Sequence, residues 1–377
     1  MSVRKSISRY IMIGEEQMKK SFLLVVVFVL LLAACQPAAV ATKAPAATEA
    51  PAAGAPLEEG MVDTTKYKKE GQVTIGVSYE GPLNDYSKSM LYHIQYQLED
   101  AHKDRVKKVI IAAADGDAAR QINDVENLLT QGIDLLLYQP ISESAGVAVV
   151  EKAMSMGVPV VIFGASLLTD EYVSFVNTDN KSIGYAYADW VAKQIGGKGK
   201  VVIMMGEAGS GYTEDAYKGI QEALKKYPDI KPLPTVYGNY SQATAKQMME
   251  TMLNANDDIV GAIVQGGHMG LGILEAYMDK GLEPPYMSVD DINLFMKAAK
   301  KYNFTKFITY GAGAEVSFDA CQIALDILDG KPVKHNYFSP VELFTAQQMF
   351  ERIPDGMPDG FWSLAKIPKD KLKDYYK

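Results

Sequence analysis

Short apolar runs alternate along the chain with longer segments in which apolar residues recur at helical spacing, beginning at Val73. A buried strand needs only a short apolar run, whereas an amphipathic helix repeats apolar residues every three or four positions, as Ile122, Val125 and Leu129 do. Regular alternation of the two patterns predicts the α/β class, in which helices cover a parallel sheet. The predicted strands are 73–78, 108–113, 134–138, 158–163 and 172–176, then 200–205, 235–240, 259–264, 286–289 and 306–310.

The predicted strands form two successive series that together occupy about 300 residues. A single hydrophobic core rarely holds so long a segment, so the pattern predicts two Rossmann-like lobes, each with its own parallel sheet. Open parallel sheets bind ligands beyond the carboxyl ends of their strands. Binding residues are therefore expected in the loops that follow the predicted strands.

The beginning of the chain has the pattern of an export signal. Lys19 and Lys20 precede an unbroken apolar run over 22–32, and small residues lead from there to Cys35. This order is typical of a secretory signal, and the run is too short to span a bilayer comfortably. The Leu-Ala-Ala-Cys ending resembles the lipobox of bacterial lipoproteins, which implies cleavage before Cys35 and acylation of its thiol. The alternative is an ordinary signal cleaved after Ala34.

The signal is assigned to residues 1–34, and Met18 is the expected translation start because residues 1–17 do not fit a signal. Residues 35–71 are predicted to be the lipidated cysteine and a disordered tether rich in Ala and Pro. The other cysteine, Cys321, has no disulfide partner and is interpreted as core packing. The globular body is therefore expected outside the cell, anchored by lipid to the outer face of the cytoplasmic membrane.

Charge limits the classes of partner. The chain has a formal charge of −8, and residues 1–34 carry five basic and two acidic residues, so the remainder has a formal charge of −11. An acidic chain argues against nucleic acid as a partner. Beyond residue 34 the only arginines are Arg105, Arg120 and Arg352, none placed by the pattern at a strand end, which argues against a carboxylate or phosphate ligand.

Several motifs in a fixed order carry a more specific resemblance. The chain reads Gln-Ile-Asn-Asp-Val-Glu-Asn-Leu-Leu over 121–129, Gly-Ile-Asp within 132–140, Gly-Val-Pro-Val-Val over 157–161, Asn-Thr-Asp-Asn over 177–180 and Ser-Val-Asp over 288–290. In this order and spacing they resemble the sugar-binding branch of the type I periplasmic binding proteins, the ribose- and galactose-binding kind. The resemblance covers about residues 72–345.

That resemblance implies a receptor of two α/β lobes joined by a three-segment hinge, which closes on a small ligand and delivers it to the permease, and through it the ATPase subunits, of an ABC transporter. The crossovers are expected near 177–179, 310–312 and 335–339, and residues 346–377 are expected to pack over the second lobe. The expected lobes are 72–177 with 312–335, and 178–311 with 336–377.

Candidate ligand contacts come from the predicted strand ends. Aromatic rings can lie against the C–H faces of a sugar, while carboxylates and amides bind its hydroxyls. Asp290 is the strongest candidate because it matches the aspartate of the family's Gly-[Phe/Tyr]-Asp motif. The full set is Tyr79, Glu80, Asn84, Asp85, Tyr86, Phe163, Tyr212, Glu214, Tyr240, Gln265, His268, Asp290 and Tyr310.

Three positions depart from the family's pattern. Gly164-Ala165 stands where an Asp-Arg or Asp-Asn pair is usual, Glu214 falls near the usual Arg, and Gly266 near the usual Asn. The ligand is therefore not expected to be ribose or a simple hexose bound in the ordinary way. The loop 206–213 approaches a P-loop, but Tyr212 occupies the lysine position, so phosphate binding is disfavoured.

Two ligand classes remain open: a neutral sugar or polyol, which the resemblance favours, and a cation such as an amino sugar or amine, which acids and aromatic rings can hold. The four histidines lie outside any metal-ligand spacing, and no Gly-x-Ser-x-Gly elbow is present, so no metal, cofactor or enzymatic activity is expected. An exported enzyme and a ligand sensor for a membrane signalling receptor are the functional alternatives. The protein is expected to be a monomer.

Overall fold

The structure is a computed structural model that describes residues 57–311 and 314–376. The predicted signal, Cys35 and the first part of the predicted tether lie outside the described residues. The strands are β1 Met61–Val62, β2 Val73–Tyr79, β3 Val106–Ala113, β4 Leu135–Tyr138, β5 Val160–Phe163, β6 Ser174–Thr178, β7 Lys198–Met205, β8 Asp229–Pro232, β9 Val236–Tyr237, β10 Ile259–Val264, β11 Tyr286–Asp290, β12 Phe307–Gly311, β13 Val333–Lys334, β14 Asn336–Ser339 and β15 Glu342–Thr345.

Helices connect most of these strands, and a π-helical turn, Tyr96–Ala101, extends the first of them. The α-helices are α1 Asp85–Gln95, α2 Ala118–Thr130, α3 Val147–Ser155, α4 Asn180–Gln194, α5 Gly211–Leu224, α6 Gln242–Ala255, α7 Gly267–Asp279, α8 Asn293–Lys301, α9 Val316–Leu328, α10 Ala346–Arg352 and α11 Leu372–Tyr375.

The first lobe is built on a parallel sheet in the order β14-β6-β5-β4-β2-β3. Helices cover both faces of its central strands, which is why β4 and β5 are buried along their whole length and read as continuous apolar runs. One face packs on α1 and α9 and the other on α2 and α3.

The second lobe repeats the plan in the order β15-β12-β11-β10-β7-β8, with β9 also pairing with β7. Its strands are parallel apart from β15, which runs antiparallel to β12. The α/β class and the two parallel sheets predicted from the apolar pattern are confirmed. Strands β8, β13, β14 and β15 lie outside the predicted set, since each is short and has few buried residues.

The chain passes three times between the two sheets. It leaves the first sheet after β6, returns after β12 to form α9, and leaves again between β14 and β15. The structure corrects one predicted boundary: residues 336–339 were assigned to the second lobe, but they form β14, which pairs with β6 in the first sheet. The third crossover therefore follows Ser339.

The structure also corrects the predicted extent of the tether. Residues 61–62 form β1, which pairs antiparallel with β13. Thr64 is fully buried and donates a hydrogen bond from its hydroxyl to the carbonyl of Lys331 at 2.6 Å. The backbone N–H of Lys69 donates to the carbonyl of Leu328 at 2.9 Å. The ordered lobe therefore begins about ten residues earlier than the predicted tether ends.

Residues 353–376 form a segment that we call the C-terminal strap. Its first half binds the second lobe: Asn293 at the start of α8 donates from its side-chain amide to the carbonyls of Met357 and Pro358, at 3.0 and 2.8 Å. The N–H of Asn293 donates to the carbonyl of Phe361 at 2.8 Å. These contacts agree with the expectation that residues beyond 345 pack over the second lobe.

The second half of the strap binds the first lobe, which the sequence analysis did not anticipate. The N–H of Lys366 donates to Nε2 of His93 in α1 at 3.1 Å, and its ammonium group pairs with Asp319 in α9 at 2.5 Å. Tyr376 packs edge-on against Tyr92, with ring centroids 4.8 Å apart. The strap is therefore a connection between the lobes in addition to the three crossovers.

Candidate functional site

The ring of Tyr240 lies across the ends of two strands of the second sheet. Gly206 and Gly266 follow β7 and β10, and a Cβ built at Gly206 would lie 2.2 Å from the Tyr240 ring. A Cβ at Gly266 would lie 3.0 Å from the same ring. Tyr240 has a left-handed backbone, with φ 53°, and remains 38% exposed. The two glycines thus make room for an accessible aromatic surface beyond the strand ends, where this class of fold binds ligands.

Replacing Gly206 by Ala is expected to displace the Tyr240 ring and cost about 1–3 kcal/mol in the free energy of unfolding, because the new methyl group overpacks the site. Gly211→Ala is the matched control, since a Cβ there meets no atom within 4 Å. Urea unfolding of both variants measures the difference. Equal stability of the two would contradict the proposed packing of Tyr240.

Gln265 connects the loops beneath this ring. Its Oε1 accepts hydrogen bonds from the N–H of Gly206 at 2.7 Å and from the hydroxyl of Thr213 at 3.1 Å, and the residue is 5% exposed. The sequence analysis proposed Gln265 as a ligand contact. In the structure its amide oxygen is already used to hold the end of β7 and the start of α5.

Asp290 ends β11 and faces the first turn of α7. Its Oδ1 accepts a hydrogen bond from the N–H of Gly267 at 2.7 Å, so the carboxylate caps a helix whose N-cap residue, Gly266, has no side chain. Burial raises the pKa of Asp290 to about 6, even though the nearby His268 and the Gly267 amide lower it. Asp290 and His268 therefore lie together at the strand ends, as the sequence analysis expected.

Two further acids, which the sequence analysis missed, lie close to Asp290. Asp291 and Glu315 are 1% and 3% exposed. Burial, followed by the charge of Glu315, raises the pKa of Asp291 well above its usual range, and burial raises the pKa of Glu315 to about 7. Oδ1 of Asp291 and Oε1 of Glu315 have no hydrogen-bond partner among the described residues. Buried acceptors of this kind are rare unless a ligand or water uses them.

Aromatic rings from three parts of the chain surround these acids. Tyr86 in α1 packs against the cores of both lobes, and its ring lies 5.7 Å from that of Trp362 in the strap, at an interplanar angle of 75°. Tyr310 ends β12 and is 5% exposed. Burial raises its pKa, and the charge of Glu315 raises it further, which places the Tyr310 hydroxyl beside that carboxylate. Trp362 is a third residue that the sequence analysis missed.

Tyr212 and Glu80 complete the group from opposite lobes. Tyr212, at the start of α5, is 39% exposed, and burial of its hydroxyl, followed by the neighbouring Tyr240 and Asp290, raises its pKa well above the usual value. Burial raises the pKa of Glu80, and burial, followed by the charge of Glu80, raises the pKa of Tyr86. Together these residues form an acidic and aromatic cluster to which both lobes contribute.

Five other candidate residues make contacts that stabilise the fold. Tyr79 and Phe163 are 1% and 0% exposed and lie in the core of the first lobe. Asn84 caps α1 by accepting a hydrogen bond from the N–H of Ser87 at 3.0 Å.

The remaining two are acids at helix starts. Glu214 lies in the first turn of α5, and its Oε1 accepts a hydrogen bond from the N–H of Gly209 at 3.3 Å. Asp85 begins α1 and lies against the strap, because a Cβ at Gly360 would come within 2.4 Å of its carboxyl carbon. Asp85 is therefore close to the cleft, whereas Glu214 orders its own loop.

The described residues bring no three potential ligands together as a metal-binding group. Within the same part of the chain, no helix combines the length and apolar character needed to cross a bilayer. Cys321 is a free, buried cysteine in α9 whose thiol pKa is raised by burial, which agrees with its interpretation as core packing.

Comparison with known proteins defines the class. Residues 75–332 match the family described as periplasmic binding protein domain. A xylitol-binding protein of Mycolicibacterium smegmatis is 29% identical over 224 residues, which cover 59% of this chain and 64% of that protein, slightly under two thirds. A ribose import binding protein of Bacillus subtilis is 28% identical over 278 residues, which cover 74% of this chain and 88% of that protein.

Solved structures share the fold. A solute-binding protein of an ABC transporter from Bacillus halodurans, with bound myo-inositol, superposes with a TM-score of 0.63 at 21% identity, covering 75% of this chain and 98% of the other. A periplasmic solute-binding protein from Actinobacillus succinogenes, with bound D-allose, gives 0.63 at 23% identity, covering 74% and 99%. The protein is thus a two-lobed α/β binding protein. It belongs to the periplasmic binding protein family, which is extracytoplasmic and whose members bind substrates without transforming them.

Proposed function

We propose that the protein is the substrate-binding receptor of an ABC importer and captures a small polyhydroxylated ligand, a sugar or polyol, between its two lobes. One observation carries this proposal: the aromatic and acidic side chains described above, which come from both lobes and the strap, lie in one cluster. Rings and carboxylates together suit the C–H faces and hydroxyls of a sugar. The relatives named for ribose and xylitol support the ligand class.

Delivery follows from the same proposal. The closed receptor presents both lobes to a membrane permease, and the permease's ATPase subunits drive import. Residues 1–35 supply the export signal and the lipid anchor, so the receptor acts at the outer face of the cytoplasmic membrane. It acts there as a monomer. Closure about the crossovers brings Tyr86 of the first lobe against Tyr212 and Tyr240 of the second.

A ligand screen tests the proposal. The protein should begin at residue 57, because the carbonyl of Gly60 accepts a hydrogen bond from the N–H of His335 at 2.8 Å. Thermal unfolding is measured against pentoses, hexoses, polyols, nucleosides and amines. A ligand at one hundred times its dissociation constant should stabilise the fold by about 2.7 kcal/mol. The absence of any response to sugars, polyols and their derivatives would overturn the proposed function.

The tryptophans allow a direct readout of binding. Trp362 packs against Tyr86 in the proposed site, whereas Trp190 packs against Tyr286, at the beginning of β11 and far from the strand end. In the variant Trp190→Phe the remaining fluorescence comes from Trp362, the other of the two tryptophans in the chain. Its emission should change on ligand binding.

In that background, Asp290→Asn is expected to weaken binding about tenfold to a hundredfold, because a hydrogen bond to a charged acceptor contributes about 1.5–3 kcal/mol. Asparagine keeps an oxygen for the Gly267 amide, so the fold should remain intact. Glu214→Gln is the control, since Glu214 already bonds Gly209. Unchanged affinity in Asp290→Asn would remove Asp290 from the binding site.

A further inference from the structure

Among the described residues, the two buried carboxylates Asp291 and Glu315 form no ion pair. Asp291 uses Oδ2 to accept a hydrogen bond from the N–H of Leu364 at 2.8 Å, while its Oδ1 has no partner among the described residues. Oε1 of Glu315 is equally unpartnered. Lys366, whose charge lowers the pKa of Glu315 without reversing the rise that burial causes, forms its ion pair with Asp319 at 2.5 Å.

Backbone contacts place both carboxylates near the same rings. The N–H of Ser363, next to Trp362, donates to the carbonyl of Asp291 at 3.1 Å. Glu315 is the N-cap of α9, and Ser317 in the first turn of that helix donates to the carbonyl of Met90 in α1, the helix that carries Tyr86. Among the charged groups that act on the Asp291 carboxyl, Glu315 is the strongest and Asp290 comes next. The hydroxyls of Tyr86 and Tyr310 both lie within the field of Glu315. The two acids and the tyrosine rings therefore belong to one cluster.

Resting on the proposed function, we propose that the ligand is an amino-substituted sugar or polyol, whose ammonium group binds between Asp291 and Glu315 and against the rings of Tyr86 and Trp362. Burying two carboxylates side by side is costly unless a positive charge accompanies them. The free oxygens of Asp291 and Glu315 can accept ammonium hydrogens, and the two rings offer the cation an aromatic wall. The remaining hydroxyls of the ligand face Asp290, Tyr212 and Tyr240.

A neutral ligand explains less of this arrangement. Its hydroxyls can donate to the two free oxygens, but they leave the repulsion between the carboxylates in place. In the empty site that repulsion is relieved by protons, which is consistent with the raised pKa of both groups. An ammonium ligand takes over that role and releases protons near neutral pH. The number of protons released on binding thus separates the two ligand classes.

The test uses matched pairs that differ in one group: D-glucosamine with D-glucose, D-galactosamine with D-galactose, and 1-amino-1-deoxy-D-glucitol with D-glucitol. Calorimetric titrations at pH 7 are run in two buffers of different ionisation enthalpy, which gives the protons released. The amino member of at least one pair should bind about tenfold or more tightly than its parent, since a charged hydrogen bond contributes that much. It should release protons, and its parent should not.

Two variants assign the effect to the carboxylates. Glu315→Gln is isosteric and should reduce the preference for the amino member to less than about threefold, because it removes a negative charge that only the amino member needs. Glu207→Gln removes an acid from an exposed position of the nearby loop 206–210 and should leave both affinities unchanged. If Glu315→Gln folds poorly, Asp291→Asn in the same titration replaces it.

The outcomes are distinct. A parent sugar or polyol that binds as tightly as its amino form overturns the amine proposal and leaves the receptor function standing. A preference for the amino form that survives both Glu315→Gln and Asp291→Asn also overturns it, because the cation would then bind elsewhere. Failure of both members of every pair, together with a failed ligand screen, overturns both proposals.

Discussion

Deleting residues 355–377 is expected to cause the largest loss of stability of any change considered, at least about 3 kcal/mol in the free energy of unfolding. The deletion removes buried side chains that pack on both lobes, and most of their apolar area would be exposed on the remaining surfaces. The buried residues lost are Met357, Phe361, Trp362, Ile367, Leu372 and Tyr376.

The same deletion is expected to let the lobes separate. Asn293 anchors the strap to the second lobe and His93 anchors it to the first, so opening of the cleft must stretch or release one of these anchors. Without the strap, the radius of gyration from solution X-ray scattering should increase, and urea unfolding should begin at lower denaturant.

A surface variant in α8 that removes an ion pair with the strap provides the control. Lys297 and Asp359 form an ion pair at 2.6 Å, with the side chains 49% and 63% exposed, so Lys297→Ala should cost less than about 1 kcal/mol. A truncated protein with the stability and dimensions of Lys297→Ala would show that the strap does not connect the lobes in solution.

The strap also marks the limit of what the sequence predicts about the fold. Strands such as β4 and β5 are recognisable because both faces are covered and every residue is buried. In the strap, by contrast, Ile367 and Leu372 stand singly among Pro, Asp and Lys, and the short apolar group that begins at Phe361 does not repeat, so the segment shows no periodicity. Their burial depends on partners in α1 and α8 that are distant in sequence, and only the tertiary structure reveals it.

The proposed binding site could be predicted from the sequence only in part. Asp290 follows from a motif at a strand end, and Tyr240 from its position after a predicted strand. Tyr79 was a candidate for the same positional reason, yet it shares alternate positions with Ile75 and Val77, both core residues. Strict alternation places all three on one face of β2, and that parity indicates packing rather than ligand contact.

The sequence analysis missed three residues of the proposed site for a different reason. Glu315 lies just beyond a crossover, Asp291 directly follows the motif aspartate, and Trp362 lies about seventy positions further along the chain. Nothing local distinguishes a buried acid from a solvated one, because burial of these three depends on how the strap and both lobes meet. A signal was present only in the aromatic composition of an otherwise polar C-terminal segment.

The anchor of the strap at His93 is expected to make stability depend on pH. His93 is fully buried, its Nδ1 lies 2.9 Å from the carbonyl of Ser89, and its Nε2 accepts the N–H of Lys366. These partners require the neutral ring with hydrogen on Nδ1, an assignment made from the hydrogen bonds. A proton on Nε2 would face the N–H of Lys366 and break the bond that holds the strap to α1.

Burial, with a smaller contribution from the charge of Lys366, lowers the pKa of His93 to about 4, against an ordinary value of about 6.5. The folded state therefore binds this proton less readily than the unfolded state. The contribution of His93 to stability is complete above about pH 6.5 and is lost as the pH falls through 4, on the order of 3 kcal/mol over that range.

Other buried groups titrate in the same pH range, but their effect on the free energy of unfolding has the opposite sign. The raised pKa of Glu315 and of Asp290 favours the folded state at low pH and costs stability as the pH rises through about 6–7. The whole-protein curve therefore mixes both effects, and a variant is needed to separate them. His93→Gln keeps a donor and an acceptor at the position but cannot be protonated.

Urea unfolding of wild type and His93→Gln at intervals between pH 7.5 and 4 isolates the histidine. The stability advantage of the wild type should shrink by about 3 kcal/mol toward pH 4, because only the wild type carries the buried, titratable ring. Parallel curves would mean that His93 binds a proton as readily in the folded protein as in the unfolded chain, and so is not buried in solution. His93 holds the strap to α1, and the strap places Trp362 against Tyr86. Protonation of His93 should therefore also reduce the change in Trp362 fluorescence on ligand binding. Acid stability and ligand binding would then depend on the same hydrogen bond.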